Sequence, residues 1–100
     1  MWRTLVFAVA LAAATPALCA QRMVTSYYNS RGPHIAASRT LPFGTRLSLY
    51  NPHTKRHAQV IIHDRGPFIR GRLLDVPRQV AAQLGFITQG VVTLVVRRTR

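Results

Sequence analysis

The sequence predicts a mostly-β fold, in which five or six short strands close into a small barrel carrying one short α-helix, preceded by a secretory leader. Three observations lead there. Short runs of β-branched, aromatic and aliphatic residues alternate with turn signals built from Gly, Pro and Asn. One stretch, around residues 78–84, places apolar residues at helical spacing. The chain has 100 residues, the first 20 read as a leader, and the remaining 80 contain no cysteine. An exported domain of that size without disulfides relies on a compact, well-paired β core, and closing the sheet removes its exposed edges.

Taken in order, Met1-Trp2-Arg3 is a short positive segment and Leu5–Ala14 a continuous apolar run. Thr15-Pro16 breaks that run, and Ala17-Leu18-Cys19-Ala20 offers a small residue for cleavage before Gln21. The run falls well short of the roughly 20 residues that span a bilayer, so a transmembrane anchor ranks second and no stable span is expected. Lipid anchoring at Cys19 would want a small residue where Leu18 sits, and is not expected. The expected division is therefore a leader over 1–20 and one domain over 21–100.

Within that domain Val24-Thr25-Ser26-Tyr27-Tyr28 reads as a strand, and Asn29–Pro33 is turn-rich. Leu41-Pro42-Phe43-Gly44-Thr45 is a tight connection into Arg46–Tyr50, which alternates with period two. Asn51–Lys55 is a turn, Ala58–Ile62 a short apolar strand, Asp64–Phe68 another turn and Arg72–Val76 another strand. Pro77 suits the first turn of a helix, Val80, Ala81 and Leu84 form its apolar face, and Gly85 is a natural stop. Val91–Val96 reads as a final buried strand, followed by a basic tail of Arg97, Arg98 and Arg100.

Fourteen Lys and Arg face two Asp and no Glu, a formal charge of +12. Removing the leader leaves 13 basic and two acidic residues among 80. Such a charge predicts polyanionic surroundings: nucleic acid, anionic lipid or an acidic cell-wall polymer. The leader and the absence of a nucleic-acid-binding motif argue against a specific nucleic-acid partner, since any chain this basic binds DNA nonspecifically. Lysine occurs once against 13 arginines, which reads as compositional drift, so most arginines are expected on a solvated surface. Arg65 and Arg70 are the exceptions, because they flank the Asp64 turn and could bind carboxylates or sugar hydroxyls.

Any carboxylic general acid must be Asp64 or Asp75. A carboxyl half-buried at a strand end suits proton donation. Structural roles compete: Asp64 as a turn-former accepting backbone N–H groups, Asp75 as a cap or near-cap of the following helix. His53 and His57 read as exposed turn residues, and without Cys or Glu to complete a ligand set neither a metal site nor a cofactor is expected. His63 adjoins Asp64 and is expected on the opposite strand face. No serine lies in a nucleophile-elbow pattern. Tyr27 and Tyr28 alternate faces, so one can pack inside and the other can stack on a sugar ring, core packing being the simpler role for either.

Three segments in order resemble a known family: Leu41-Pro-Phe-Gly-Thr45, Asp64-Arg-Gly-Pro-Phe68, and Gly71-Arg-Leu-Leu-Asp75 followed by a short Ala-containing helix to Leu84-Gly85. With the Ser26-Tyr27-Tyr28 start and the closing Gly90-Val91 strand, residues 24–96 resemble the RlpA-like (rare lipoprotein A) double-psi β-barrel family. The resemblance implies a six-stranded double-psi β-barrel over 21–100. It also implies an exported, periplasmic or envelope protein whose partner is peptidoglycan. The implied activity is an endolytic lytic transglycosylase that acts on peptide-stripped glycan strands. By the same resemblance Asp64 and Asp75 are the catalytic candidates, Asp64 first, and Arg65, Tyr28, Ser38 and Arg70 the substrate-binding ones. The chain departs from the family pattern in two places. The segment from Asn29 to Ile35 is about ten residues short and lacks the family's Glu, and Ser38 stands where the family has His. His34, four residues away, is the nearest histidine in sequence. The competing function is a non-catalytic peptidoglycan-binding barrel; the sequence leaves the oligomeric state open.

Overall fold

The computed structural model describes residues 20–99. The expected leader lies outside the described residues except for Ala20, which begins the first strand. The strands are β1 (Ala20–Tyr28), β2 (Ile35–Ala37), β3 (Arg46–Asn51), β4 (Arg56–Asp64), β5 (Leu74–Pro77) and β6 (Val91–Arg98), and one helix, α1 (Arg78–Leu84), lies between β5 and β6. They close in the order β1-β5-β2-β4-β3-β6. The β1–β5 and β2–β4 pairs are parallel and the other four are antiparallel.

Period-two alternation decides which side chains fill the barrel. Leu47 and Leu49 of β3, Ala58, Val60 and Ile62 of β4, Leu74 and Val76 of β5, and Leu94 and Val96 of β6 are all buried in one core. Val80, Ala81 and Leu84 of α1 join it together with Phe86, so the predicted apolar face of the helix is the observed one. Gly85 ends α1 at φ 80°, in the left-handed region, and its N–H reaches the carbonyls of Ala81 and Ala82.

The elements differ from expectation in several places, and His57, expected in a turn, lies exposed on β4. β2 was not anticipated, because three residues with two alanines carry almost no strand signal. Its place is set by pairing with β4 on one side and β5 on the other. Pro77 ends β5 and is the N-cap of α1 rather than a residue of its first turn. Asp75 consequently lies inside β5, two residues before the cap, and does not cap the helix. Arg97 and Arg98 are not a tail: β6 runs through both, pairing them with Ser48 and Leu47 of β3. Asn51, expected in a turn, is a buried end of β3 whose Nδ2 donates to the Leu84 carbonyl (2.8 Å) while its Oδ1 accepts from the His53 N–H (3.0 Å).

Candidate functional site

The two acids come together through β2. Ala37 is paired on one side with Asp75 of β5 and on the other with Asp64 of β4, and Asp75 is paired in turn with Ser26 of β1. Ser26, Asp75, Ala37 and Asp64 therefore form a row across four adjacent strands. Two inter-strand spacings of about 4.8 Å put the Asp64 and Asp75 Cα atoms about 10 Å apart, with the small Ala37 between them.

All four residues share the outer face of the wall. Leu74 and Val76 point into the core, so Asp75 between them points out. Met23 and Tyr27 pack against the core and Thr25 is fully buried, so Ser26 and Tyr28 point out from β1. Asp64 would share the inward phase of Val60 and Ile62 were β4 regular. The β2–β4 register shifts instead: Ala36 pairs with Ile62, whereas Ala37 pairs with Asp64, which leaves His63 as an extra residue. This bulge turns the Asp64 carboxyl onto the face of Asp75 and leaves His63 exposed beside the Phe43 ring at 5.8 Å.

Each acid has a hydroxyl donor from β1. Ser26 Oγ donates to Asp75 Oδ1. The Tyr28 phenol donates to Asp64 Oδ2 (2.9 Å), and the Arg65 N–H donates to Asp64 Oδ1 (3.2 Å). Burial pushes the Tyr28 phenol above its ordinary value; the hydrogen bond to Asp64 and the charges of Asp64 and Asp75 push the same way, against a lowering by Ser30. The phenol therefore stays protonated, and a donor, at neutral pH. Tyr28 is not one of the residues packed on the core, so core packing describes Tyr27 alone, which meets Phe86 edge-on at 6.0 Å. Beyond Tyr28 a cleft of about 410 Å³ opens between Asn29 and Ser30 on one side and Arg78, Gln79 and Ala82 of α1 on the other.

The remaining candidates sit around this row with different tasks. Arg65 Nη1 donates to the carbonyls of Ser38 (3.0 Å) and Leu41 (2.7 Å), and its guanidinium lies 4.3 Å from the centre of the Phe43 ring. It thus clamps the β2–β3 loop against the Asp64 turn. Ser38 is buried, and its hydroxyl accepts the N–H groups of Thr40 (3.2 Å) and Leu41 (3.0 Å). The position where the family has His is here part of a turn. Arg70 lies in the exposed turn between β4 and β5 and makes none of the site's hydrogen bonds among the described residues. His34 does not approach the acids: its carbonyl accepts the Ile61 N–H (2.9 Å), and it lines a separate groove on the β3–β4 side. Sequence reasoning missed Ser26 and Ala37. Ser26 was within reach, since it stands two residues before Tyr28 on the same strand face; Ala37 carries no chemistry and was visible only through pairing.

The sequence model of the lytic transglycolase family matches residues 25–96. The chain is similar to the probable endolytic peptidoglycan transglycosylase RlpA of Nostoc sp., with 50% identity over 56 residues, covering 56% of this chain and 15% of that protein. It is similar to the protein of the same name from Aquifex aeolicus, at 46% over 59 residues and 59% and 26% of the two chains. It is also similar to the endolytic peptidoglycan transglycosylase RlpA of Pasteurella multocida, at 40% over 58 residues and 58% and 20% of the two chains. The matched part is thus about a quarter or less of each of these relatives. Among solved structures, cerato-platanin 3 from M. perniciosa superposes with a TM-score of 0.65 at 13% identity, covering 80% of this chain and 95% of that one. The Streptomyces papain inhibitor gives 0.64 at 17% identity, covering 82% and 96%. At such identities the two structures speak to the fold alone.

Proposed function

The chain belongs to the RlpA-like lytic transglycolase family of double-psi β-barrels, and from that premise we propose that it is an exported envelope protein that cleaves peptidoglycan glycan strands as an endolytic lytic transglycosylase. Residues 1–20 serve as its export leader and 21–100 as the working barrel. The substrate is the peptide-stripped strand, cut between N-acetylmuramic acid and N-acetylglucosamine. The observation that carries this reading is the outward row of Asp75, Ala37 and Asp64, with Tyr28 donating to Asp64. Among the described residues no helix is long and apolar enough to cross a membrane.

The reaction needs one carboxylic acid, unlike the two-carboxylate hydrolytic scheme. Asp64 gives its proton to the glycosidic oxygen as the bond from the muramic C1 breaks. The carboxylate left behind takes the proton of the C6 hydroxyl, whose oxygen bonds to C1. The products are a 1,6-anhydro end and a free N-acetylglucosamine hydroxyl, and no water is consumed. The Tyr28 O–H and the Arg65 N–H point at the oxygens on which negative charge develops, so they bind the transition state more tightly than the neutral acid. Asp75, across Ala37, offers negative charge to the cationic sugar ring. Arg65 is a positioning residue that holds the loop beside the acid, and Tyr28 and Arg70 border the path of the strand.

A second reading, a non-catalytic wall-binding barrel, draws on Ser38, whose buried hydroxyl replaces the family's histidine with a turn contact. One experiment separates the two. Purified protein is incubated with peptide-free glycan strands and new 1,6-anhydro-muramic ends are sought by mass spectrometry, with Asp64→Asn alongside. Products that vanish in the variant support the enzyme. Absence of products together with salt-sensitive pelleting on intact sacculi refutes catalysis and leaves the binding barrel.

A further inference from the structure

The adjoining part of the barrel wall, from β4 across β3 to β6, carries a second polar surface that the acid row does not use. Leu47, Leu49 and Asn51 point inward, so Arg46, Ser48 and Tyr50 run down the outside of β3. The pairing sets Gln59 of β4 and Arg97 of β6 on either side of Ser48, and His57 of β4 beside Tyr50. The Tyr50 and His57 rings lie 4.6 Å apart at 40°, a tilted two-ring platform. Successive rows on one strand face are about 7 Å apart and adjacent strands about 4.8 Å. Arg46 and Arg97 therefore stand on neighbouring strands one row apart, with the rings a row beyond Arg97. Arg22 of β1 adds a third cation, since it pairs with Val95, the β6 partner of Tyr50.

This surface is a groove rather than a flat wall. A cavity of about 590 Å³ runs over Arg46, Ser48, His57 and Gln59, walled by His34 before β2 and Gln83 of α1. It continues across Ser48, Tyr50 and Arg97 into a second depression of about 380 Å³. Among the described residues no Asp or Glu side chain lines either one. The two acidic side chains of the sequence, Asp64 and Asp75, belong to the row across β5, β2 and β4. The ligand that suits such a groove is a polymer with spaced negative charges for the guanidiniums, hydroxyls and amides for Gln59, Gln83 and Ser48, and flat apolar faces for the two rings.

We propose that the β3–β4–β6 groove is a second, non-catalytic glycan-binding site that holds a carboxylate-bearing polysaccharide, with Arg46 and Arg97 pairing the carboxylates and Tyr50 stacking a sugar ring. The choice of glycan over other polyanions rests on the proposed function, under which the peptide-stripped strand supplies one free lactyl carboxylate per disaccharide. The hydrogen-bonding side chains around the rings fit sugar hydroxyls better than a phosphodiester backbone. The groove then retains the protein on its strand while the acid row acts elsewhere along it.

The test uses peptide-free glycan strands as probe and Asp64→Asn protein, so that binding is read without cleavage. Arg46→Gln combined with Arg97→Gln is expected to weaken binding about ten-fold or more, while leaving unchanged the weaker binding of strands whose carboxyls have been converted to amides. Arg46→Lys with Arg97→Lys is expected to recover part of the loss, and Tyr50→Ala to weaken both probes. In protein with Asp64 intact, the Gln pair is expected to leave the cleavage of a short fragment unchanged and slow only that of long strands. Unchanged binding by the Gln pair, an equal loss on amidated strands, or equal competition from a DNA duplex of matched charge would each overturn the site. If no variant produces anhydro ends, the catalytic reading fails while the binding comparison still decides the groove.

Discussion

Tyr28→Phe is the most direct probe of the acid row, because it removes one oxygen and one hydrogen bond and little else. The phenol donates to Asp64 Oδ2 at 2.9 Å. A hydrogen bond to a charged group contributes about 1.5–3 kcal/mol, and the half-exposed setting of both partners favours the lower end, about 1.5 kcal/mol. If the bond strengthens as Asp64 loses its proton, the loss falls on the transition state and corresponds to about a ten-fold lower kcat. The assay is the rate of 1,6-anhydro end formation on peptide-free strands, with thermal melts run in parallel. Tyr28 points away from the core, so only this hydrogen bond bears on stability, and the melting temperature should fall by no more than about 12 °C. The pH profile gives an independent reading. The folded phenol lies above its ordinary value, so its donor is intact at neutral pH and is lost only as pH climbs through that raised value. Between the ordinary and the raised value the folded chain holds the proton more firmly than the unfolded one, so this group's stabilising contribution falls as pH rises there. Tyr28→Phe should remove that alkaline limb. A full-rate Tyr28→Phe enzyme, or an alkaline limb that persists in the variant, would refute the reasoning.

Two further expectations concern the junction that seats α1. Gly85→Ala puts a Cβ in the left-handed region and within 2.9 Å of Thr54 Cγ2, whose own hydroxyl donates to the Leu84 carbonyl at 2.8 Å. The conformational cost of about 1–2 kcal/mol plus the disturbed hydrogen bond should lower the melting temperature by roughly 8–15 °C, and Thr54→Ser, which keeps the hydroxyl and removes the methyl, should recover part of that loss in calorimetry. Asn51→Ala strips a buried side chain of both its hydrogen bonds; a destabilisation of about 2–3 kcal/mol is expected by urea denaturation, and a change below about 0.5 kcal/mol would mean that Thr54 alone suffices to satisfy the Leu84 carbonyl.

The sequence by itself determined a large part of this protein. Alternating Leu47 and Leu49, the apolar run from Ala58 to Ile62, and the Val80, Ala81 and Leu84 face name most of the core without coordinates, because burial on a strand or helix face is a local periodicity. Gly85 was legible as a helix stop because only a residue tolerant of positive φ fits there. Two aspartates in a chain with no Glu left no choice of carboxyl. What the tertiary structure alone decided is how those carboxyls meet. Asp64 and Asp75 are joined through Ala37, a residue of a three-residue strand whose own propensity is weak and whose place depends on two distant neighbours. The bulge at His63, which turns Asp64 outward, is a mismatch of register between β2 and β4, and register is a property of a pair of strands. For the same reason the side chains of Arg65, Arg70 and Ser38 looked alike as candidates in one dimension. Only the closed barrel assigns the first two opposite surroundings, a clamp and an exposed turn, and draws the hydroxyl of the third into its own loop.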